Sequence, residues 1–152
     1  MGAAESMTTT GAHRQDAATD RRRLLELAVN ESNAAIYVTD EHANILFVNA
    51  TFTQMLGYEP HEVCGRRARE ILDAGYYAEQ DYVTLWSDLR RGRTVRDEVR
   101  TRNKAGDEIW LTMVLRPILA PDGSFAHIVG YLEDTTESRQ IQSLQRDVLK
   151  AV

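Results

Sequence analysis

The chain has 152 residues, 43% of them apolar, a formal net charge of -5 and one cysteine. That length buries a single sizeable core and leaves little room for two. The charge gives no basis for nucleic acid or acidic lipid as a partner, and no apolar run approaches the ~20 residues that span a bilayer.

No signal-peptide pattern opens the chain, and the lone Cys64 can form no internal disulfide, which fits a reducing cytoplasm. Residues 1–16 are small, polar and aperiodic and read as a flexible tail. Asp16 or Asp20 can cap a flanking helix over residues 17–31, with an apolar side of Leu24, Leu25, Leu27 and Ala28. Two strand patterns follow, residues 36–40 and 45–49, separated by the polar turn Glu41-His42-Ala43-Asn44. Residues 49–57 read as a short helix with Phe52, Met55 and Leu56 on one side, ended by glycine. Residues 60–74 read as broken helical turns. Residues 79–91 form a more regular helix: Tyr82, Leu85, Trp86 and Leu89 fall at helical spacing, and Arg90-Arg91-Gly92 suits its C-terminal end.

Three strands come next. Arg96, Glu98, Arg100 and Arg102 alternate with Asp97, Val99 and Thr101, which predicts one wet face at a sheet edge. Residues 103–107 make a hairpin turn. Residues 108–119 are apolar on both faces, with Ile109, Leu111, Met113 and Leu115 on one and Trp110, Thr112 and Val114 on the other. After the turn at Pro121-Asp122-Gly123, residues 125–133 are again mostly apolar. Strands apolar on both faces need cover on both. The helices of residues 50–91 can supply one cover; the N-terminal helix or a second subunit must supply the other. The last segment, residues 136–152, is a helix with Asp134 as N-cap and Glu137 three residues on. Ile141, Leu144, Val148 and Ala151 recur at spacings of three and four, the start of a coiled-coil seam. The alternative is a helix lying back on its own domain. The chain stops in mid-helix, as if cut from something longer.

Catalytic chemistry is hard to find. The histidines at 13, 42, 61 and 127 are scattered, so no metal-ligand cluster forms. No Gly-rich phosphate loop precedes a helix, and no serine sits in a nucleophile elbow. Cys64 reads as a buried or half-buried inert thiol, with only Arg66-Arg67 nearby to lower its pKa. No catalytic or metal-binding residue is assigned.

The series Ile36-Tyr37-Val38-Thr39-Asp40, Asn49-Ala50-x-Phe52, Gly57-Tyr58, Glu62-Val63-x-Gly65-Arg66, Gly106-x-x-Ile109-Trp110 and Gly130 to Glu137 resembles a PAS domain across roughly residues 20–138, with the domain itself placed at 32–135. The resemblance implies an α+β fold: a five-stranded antiparallel sheet in the order 2-1-5-4-3, with short helices on one face. It also implies a regulatory rather than catalytic module, because fold alone does not assign chemistry. In light-sensing flavin (FMN) members a cysteine attacks the flavin. Ala68 stands at that position here, which argues against a photoadduct. Residues 67–92 hold no histidine to serve as a haem ligand, and His127 has the outward parity of Val129 and Tyr131, which argues against haem.

Ile71-Leu72-x-x-Gly75, Tyr82-x-x-Leu85-Trp86 and Arg102-Asn103-Lys104-x-Gly106 are similar to redox-sensing members that hold FAD. Trp86 either stacks on an isoalloxazine ring or anchors the helix in the core. The resemblance implies a pocket lined by Tyr37, Thr39, Phe52, Trp86, Thr101, Leu111 and Leu132, between the helices of residues 50–91 and the inner sheet face. It implies a signalling corner at Asp134 and Thr136. From there the last helix passes a signal to an effector such as a histidine kinase or a cyclic-di-GMP cyclase or phosphodiesterase. The rival reading is a solid-cored protein–protein interaction module. A homodimer is expected through Leu24, Leu27, Trp110, Val114, Val129, Tyr131, Ile141, Leu144 and Val148. Its competitor is a monomer whose own N-terminal helix covers the outer strip.

Overall fold

The computed structural model describes residues 3–151, with side chains from residue 14 onward. Two compact units follow one another, residues 1–32 and residues 33–152. The first is a single helix, α1 (Ala3–Asn30). It starts far ahead of residue 17, which corrects the tail expected over residues 1–16; Met1 and Gly2 lie outside the described residues. Once a helix is nucleated, each further residue is fixed against one added hydrogen bond. Ala3, Ala4, Ala12, Ala17 and Ala18 carry the lowest propensity cost. Leu24, Leu25 and Leu27 are all exposed.

The second unit runs β1 (Ala35–Thr39), β2 (Ile45–Val48), α2 (Ala50–Leu56), α3 (Pro60–Val63), α4 (Ala68–Leu72), α5 (Glu79–Arg90), β3 (Val95–Arg102), β4 (Glu108–Leu119), β5 (Phe125–Asp134) and α6 (Thr136–Ala151). The sheet has five strands in the order β2-β1-β5-β4-β3, every pair antiparallel. Parity decides what each strand buries. Ala35, Tyr37, Thr39, Ile109, Leu111, Leu115, Ile128 and Leu132 are buried on the inner face. There they meet Phe52, Leu56, Val63, Ile71 and Leu89 from the helices. Each such aliphatic or aromatic side chain contributes roughly 1.5–3 kcal/mol by burial.

The outer face carries Trp110, Thr112, Val114, Val129 and Tyr131, all half-buried. The wet strand expected at an edge is β3, whose Arg96, Asp97 and Glu98 are exposed.

Local chemistry pins the helices in place. Asn49 is fully buried, and its side-chain oxygen accepts from the Phe52 N–H at 3.0 Å, capping α2. The same oxygen accepts from the Ile36 N–H at 2.8 Å, and the amide nitrogen donates to the Ala34 carbonyl at 3.0 Å, so one side chain ties α2 to β1. Gly57 ends α2 at φ 82, in the left-handed region that glycine enters without a Cβ penalty. The freed Leu56 carbonyl accepts from the Lys104 N–H at 2.8 Å, docking the β3–β4 turn on the helix end.

The corner before α6 differs from the expected cap. Asp134 is the last residue of β5, and its carboxylate accepts from the Thr136 N–H at 2.9 Å. The first helical bond runs from the Arg139 N–H to the Thr135 carbonyl at 3.0 Å, so Thr135, not Asp134, sits at the cap position. A β-strand that runs to Asp134 leaves it one residue short of the helix, where an aspartate makes a local turn with the N–H two residues on.

Candidate functional site

A cavity of about 180 Å³ lies between α4, α5 and the inner sheet face. Its sheet wall follows one cross-strand row: Tyr37 faces Gly130, Gly130 faces Leu115, and Leu115 faces Val95. Thr39, Val99, Met113 and Ile128 complete that wall. The helix wall is apolar along α5 at Leu85, Trp86 and Leu89, and Ala68 and Leu72 add α4. The spacing of Tyr82, Leu85, Trp86 and Leu89 aims one face of α5 inward.

Of the four charged lining residues, Arg69, Asp81 and Asp97 are exposed and mark the open side, while Asp73 is half-buried. Arg69 donates to Asp73 at 3.4 Å and to Glu79, and its guanidinium lies 3.7 Å from the centroid of the Tyr82 ring. Burial opposes ionisation of Asp73. The Gly75 N–H, the Tyr82 hydroxyl and Arg69 overcome that and hold its carboxyl below the ordinary value. Burial, then the hydrogen bond to Asp73, pushes the Tyr82 phenol above its ordinary value. Arg69, Asp73 and Tyr82 thus form one latch on the rim, joining α4 to α5.

Three of the seven expected pocket residues, Tyr37, Thr39 and Trp86, line this cavity. Phe52, Thr101, Leu111 and Leu132 are fully buried outside its lining. Phe52 packs edge-on against Tyr37 with centroids 6.1 Å apart. Thr101 donates its hydroxyl to the Leu72 carbonyl at 2.6 Å. Leu111 lies two residues along β4 from Met113, beyond the lining. Sequence reasoning missed Leu115, Ile128 and the rim latch. The two aliphatics were legible by parity, since they share the inner face of Leu111 and Leu132.

Trp86, the expected stacking ring, meets Phe125 edge-on at 6.0 Å and carries the Arg90 guanidinium 5.3 Å from its centroid. Among the described residues no asparagine or glutamine lines the cavity. Pockets that hold drug-sized ligands run to ~300–1,000 Å³, well above the volume present. The residues present fit a smaller ligand and do not fit an isoalloxazine ring.

At the other end of the same strand, the corner Asp134–Thr136 is bolted to β4. The Trp110 N–H donates to the Thr136 hydroxyl at 2.9 Å, and the Thr135 N–H donates to the Trp110 carbonyl at 2.8 Å. Arg139, one turn into α6, stacks 3.6 Å from the centroid of the Trp110 ring and pairs with Glu98 at 2.7 Å. Beyond it Ile141, Leu144 and Val148 are exposed. Among the described residues no group of three His, Cys, Asp or Glu could hold a metal ion. His127 donates from Nδ1 to the Thr39 carbonyl at 3.0 Å, and His42 and His61 are exposed. Among the described residues no helix is long and apolar enough to cross a membrane.

The model of the PAS fold family matches residues 29–140. Among curated relatives, the biofilm dispersion protein BdlA of Pseudomonas aeruginosa is 30% identical over 62% of this chain and 23% of its own length. The oxygen sensor protein DosP of Escherichia coli is 26% identical over 88% of this chain and 17% of its own length. The chain therefore spans about a fifth of these relatives. A solved structure of an RNA-binding light-oxygen-voltage receptor superimposes with a TM-score of 0.74 at 26% identity, covering 86% of this chain and 37% of that one.

Proposed function

Because the chain belongs to the PAS fold family, a family of regulatory modules, we propose that it is a sensory module that binds a small ligand in the cavity and passes the signal through α6 to a linked effector. One observation carries this reading. A single strand, β5, lines the cavity at Ile128 and ends at Asp134, in the corner from which α6 departs. A ligand that shifts β5 shifts the helix start with it, and packed interfaces convert small shifts into discrete states. Relatives named as an oxygen sensor and a light-oxygen-voltage receptor support a sensory role. The short share of BdlA and DosP that the chain spans supports an effector elsewhere in the protein.

Two finer assignments belong to the same proposal. The module pairs as a homodimer, with the exposed Ile141, Leu144 and Val148 of α6 as the seam. It works in the cytoplasm, where an exposed free thiol such as Cys64 stays reduced. Of the cofactors, FAD is the one the sequence resemblance favours, and the cavity walls favour something smaller.

Colour decides among them. The purified protein is expected to be colourless and to release a small molecule on denaturation, detected by mass spectrometry. A yellow sample would restore FAD, and a brown-red one haem. A colourless protein that releases nothing, and whose native mass is unchanged by any small-molecule library, would replace the sensor with the interaction module.

A further inference from the structure

Tyr37 combines three properties that together point at a ligand. Its side chain is only 3% exposed. It lines the cavity. Its hydroxyl has no hydrogen-bond partner among the described residues, where no fully enclosed side-chain polar atom is left unpaired. The hydroxyl is therefore not sealed in packed core; it looks into the cavity. A hydroxyl that faces the cavity is free to donate, and an acceptor brought by a ligand can take that bond in place of water. Burial pushes the phenol well above its ordinary pKa, so it stays a neutral O–H donor.

The surroundings set the ligand's character. The Tyr37 ring lies against Gly130 of β5, where a Cβ would come within 2.3 Å of the ring and 2.8 Å of the hydroxyl. Leu115 and Ile128 flank it, and the neighbouring Thr39 spends its hydroxyl proton on the Asp40 carbonyl at 2.9 Å. Of the charged lining residues, Arg69 and Asp73 already pair with each other in the rim latch and Asp81 and Asp97 are exposed, and an unpaired buried charge is prohibitive. The volume is close to the ~150 Å³ of a dry apolar cavity that takes benzene.

We propose that the cavity takes a small neutral ring compound whose carbonyl or ring-nitrogen acceptor receives the Tyr37 hydroxyl, held against Gly130 of the strand that leads to α6. This deepens, and rests on, the reading of the cavity as a ligand site. A ligand held by that hydroxyl bears on the ring, and the ring bears on the Gly130 backbone, four residues before Asp134.

Quinoline and naphthalene test it, since they share a shape and differ by one ring acceptor. Dissociation constants are measured by ligand-observed NMR for the wild-type chain, Tyr37→Phe and Gly130→Ala. The preference for quinoline relative to naphthalene is expected to fall about fivefold in Tyr37→Phe, the scale of one neutral hydrogen bond. It is expected to fall similarly in Gly130→Ala, which keeps the phenol and displaces it. If both probes bind and their ratio is the same in wild type and Tyr37→Phe, the Tyr37 assignment is overturned while the ligand site stands. A preference that falls in Tyr37→Phe and survives in Gly130→Ala overturns the placement against Gly130. Binding of neither probe up to its solubility limit overturns the assignment, while the ligand site itself stands or falls on what denaturation releases.

Discussion

Asn49 joins three backbone groups through one buried amide: the Ile36 and Phe52 N–H groups and the Ala34 carbonyl. Removing it takes this partner from two donors and an acceptor at the junction of β1 and α2. Asn49→Ala should cost about 2–4 kcal/mol, the sum of a lost cap and buried unsatisfied groups. Urea denaturation checks this, and a loss under about 1 kcal/mol would mean that water replaces the amide. Asp73 makes a pH prediction. Its carboxyl sits below the ordinary 3.8 because, against burial, the Gly75 N–H, Tyr82 and Arg69 favour the charged form. A folded pKa below the unfolded one gives stability that is full above the ordinary value and is lost as pH falls through the folded value. Asp73→Asn should therefore flatten the acid limb of the stability curve below about pH 4. Equal limbs in the two proteins would deny the rim latch any part in acid unfolding.

At the scale of the element, α6 is capped at Thr135 rather than by the expected Asp134–Glu137 box, and Thr135 and Thr136 bolt its start to β4. The alternation that ends β5 and the heptad spacing that starts α6 were both legible. The residue at which one gives way to the other was not, because Thr135 and Thr136 act through backbone atoms of Trp110, 25 and 26 positions away. Thr136→Val keeps the shape and removes the acceptor for the Trp110 N–H. Hydrogen exchange at the Trp110 amide should speed up about fivefold, with fraying in the first turn of α6 and no change in α5. An unchanged Trp110 amide would show that the hydroxyl does not hold the corner.

The whole molecule presents exposed leucines on α1, a half-buried strip on the outer sheet face, and an exposed apolar seam on α6. Two parallel copies of α6 would bury Ile141, Leu144 and Val148 against their equivalents. Sedimentation equilibrium at tens of micromolar should find a dimer for the full chain. Leu144→Asp with Val148→Asp should weaken it tenfold or more, roughly the effect of charging a buried seam. Deleting residues 1–30 asks whether α1 shares the contact. A full chain that stays monomeric would remove the paired-helix route to an effector.

Beyond residue 32, the sequence by itself determined which segments become strands and helices, through alternation, Asn49 and Gly57 at the ends of α2, and the turns at residues 103–107 and 121–123; it did not show that α1 starts as early as Ala3. It also determined which face of each strand turns inward, since side-chain direction follows from a period of two. The strand order came with the family resemblance rather than from periodicity. Only the tertiary structure decided which inward residues meet open space. Phe52, Leu111 and Leu132 share the inner face or its cover with Tyr37 and Thr39, yet they are packed solid while Leu115 and Ile128 line the cavity. Periodicity fixes a side chain's direction and says nothing of how far the opposing element stands off. That distance depends on contacts remote in sequence, such as Thr101 on Leu72 and Arg69 on Tyr82, which hold α4 and α5 where they are.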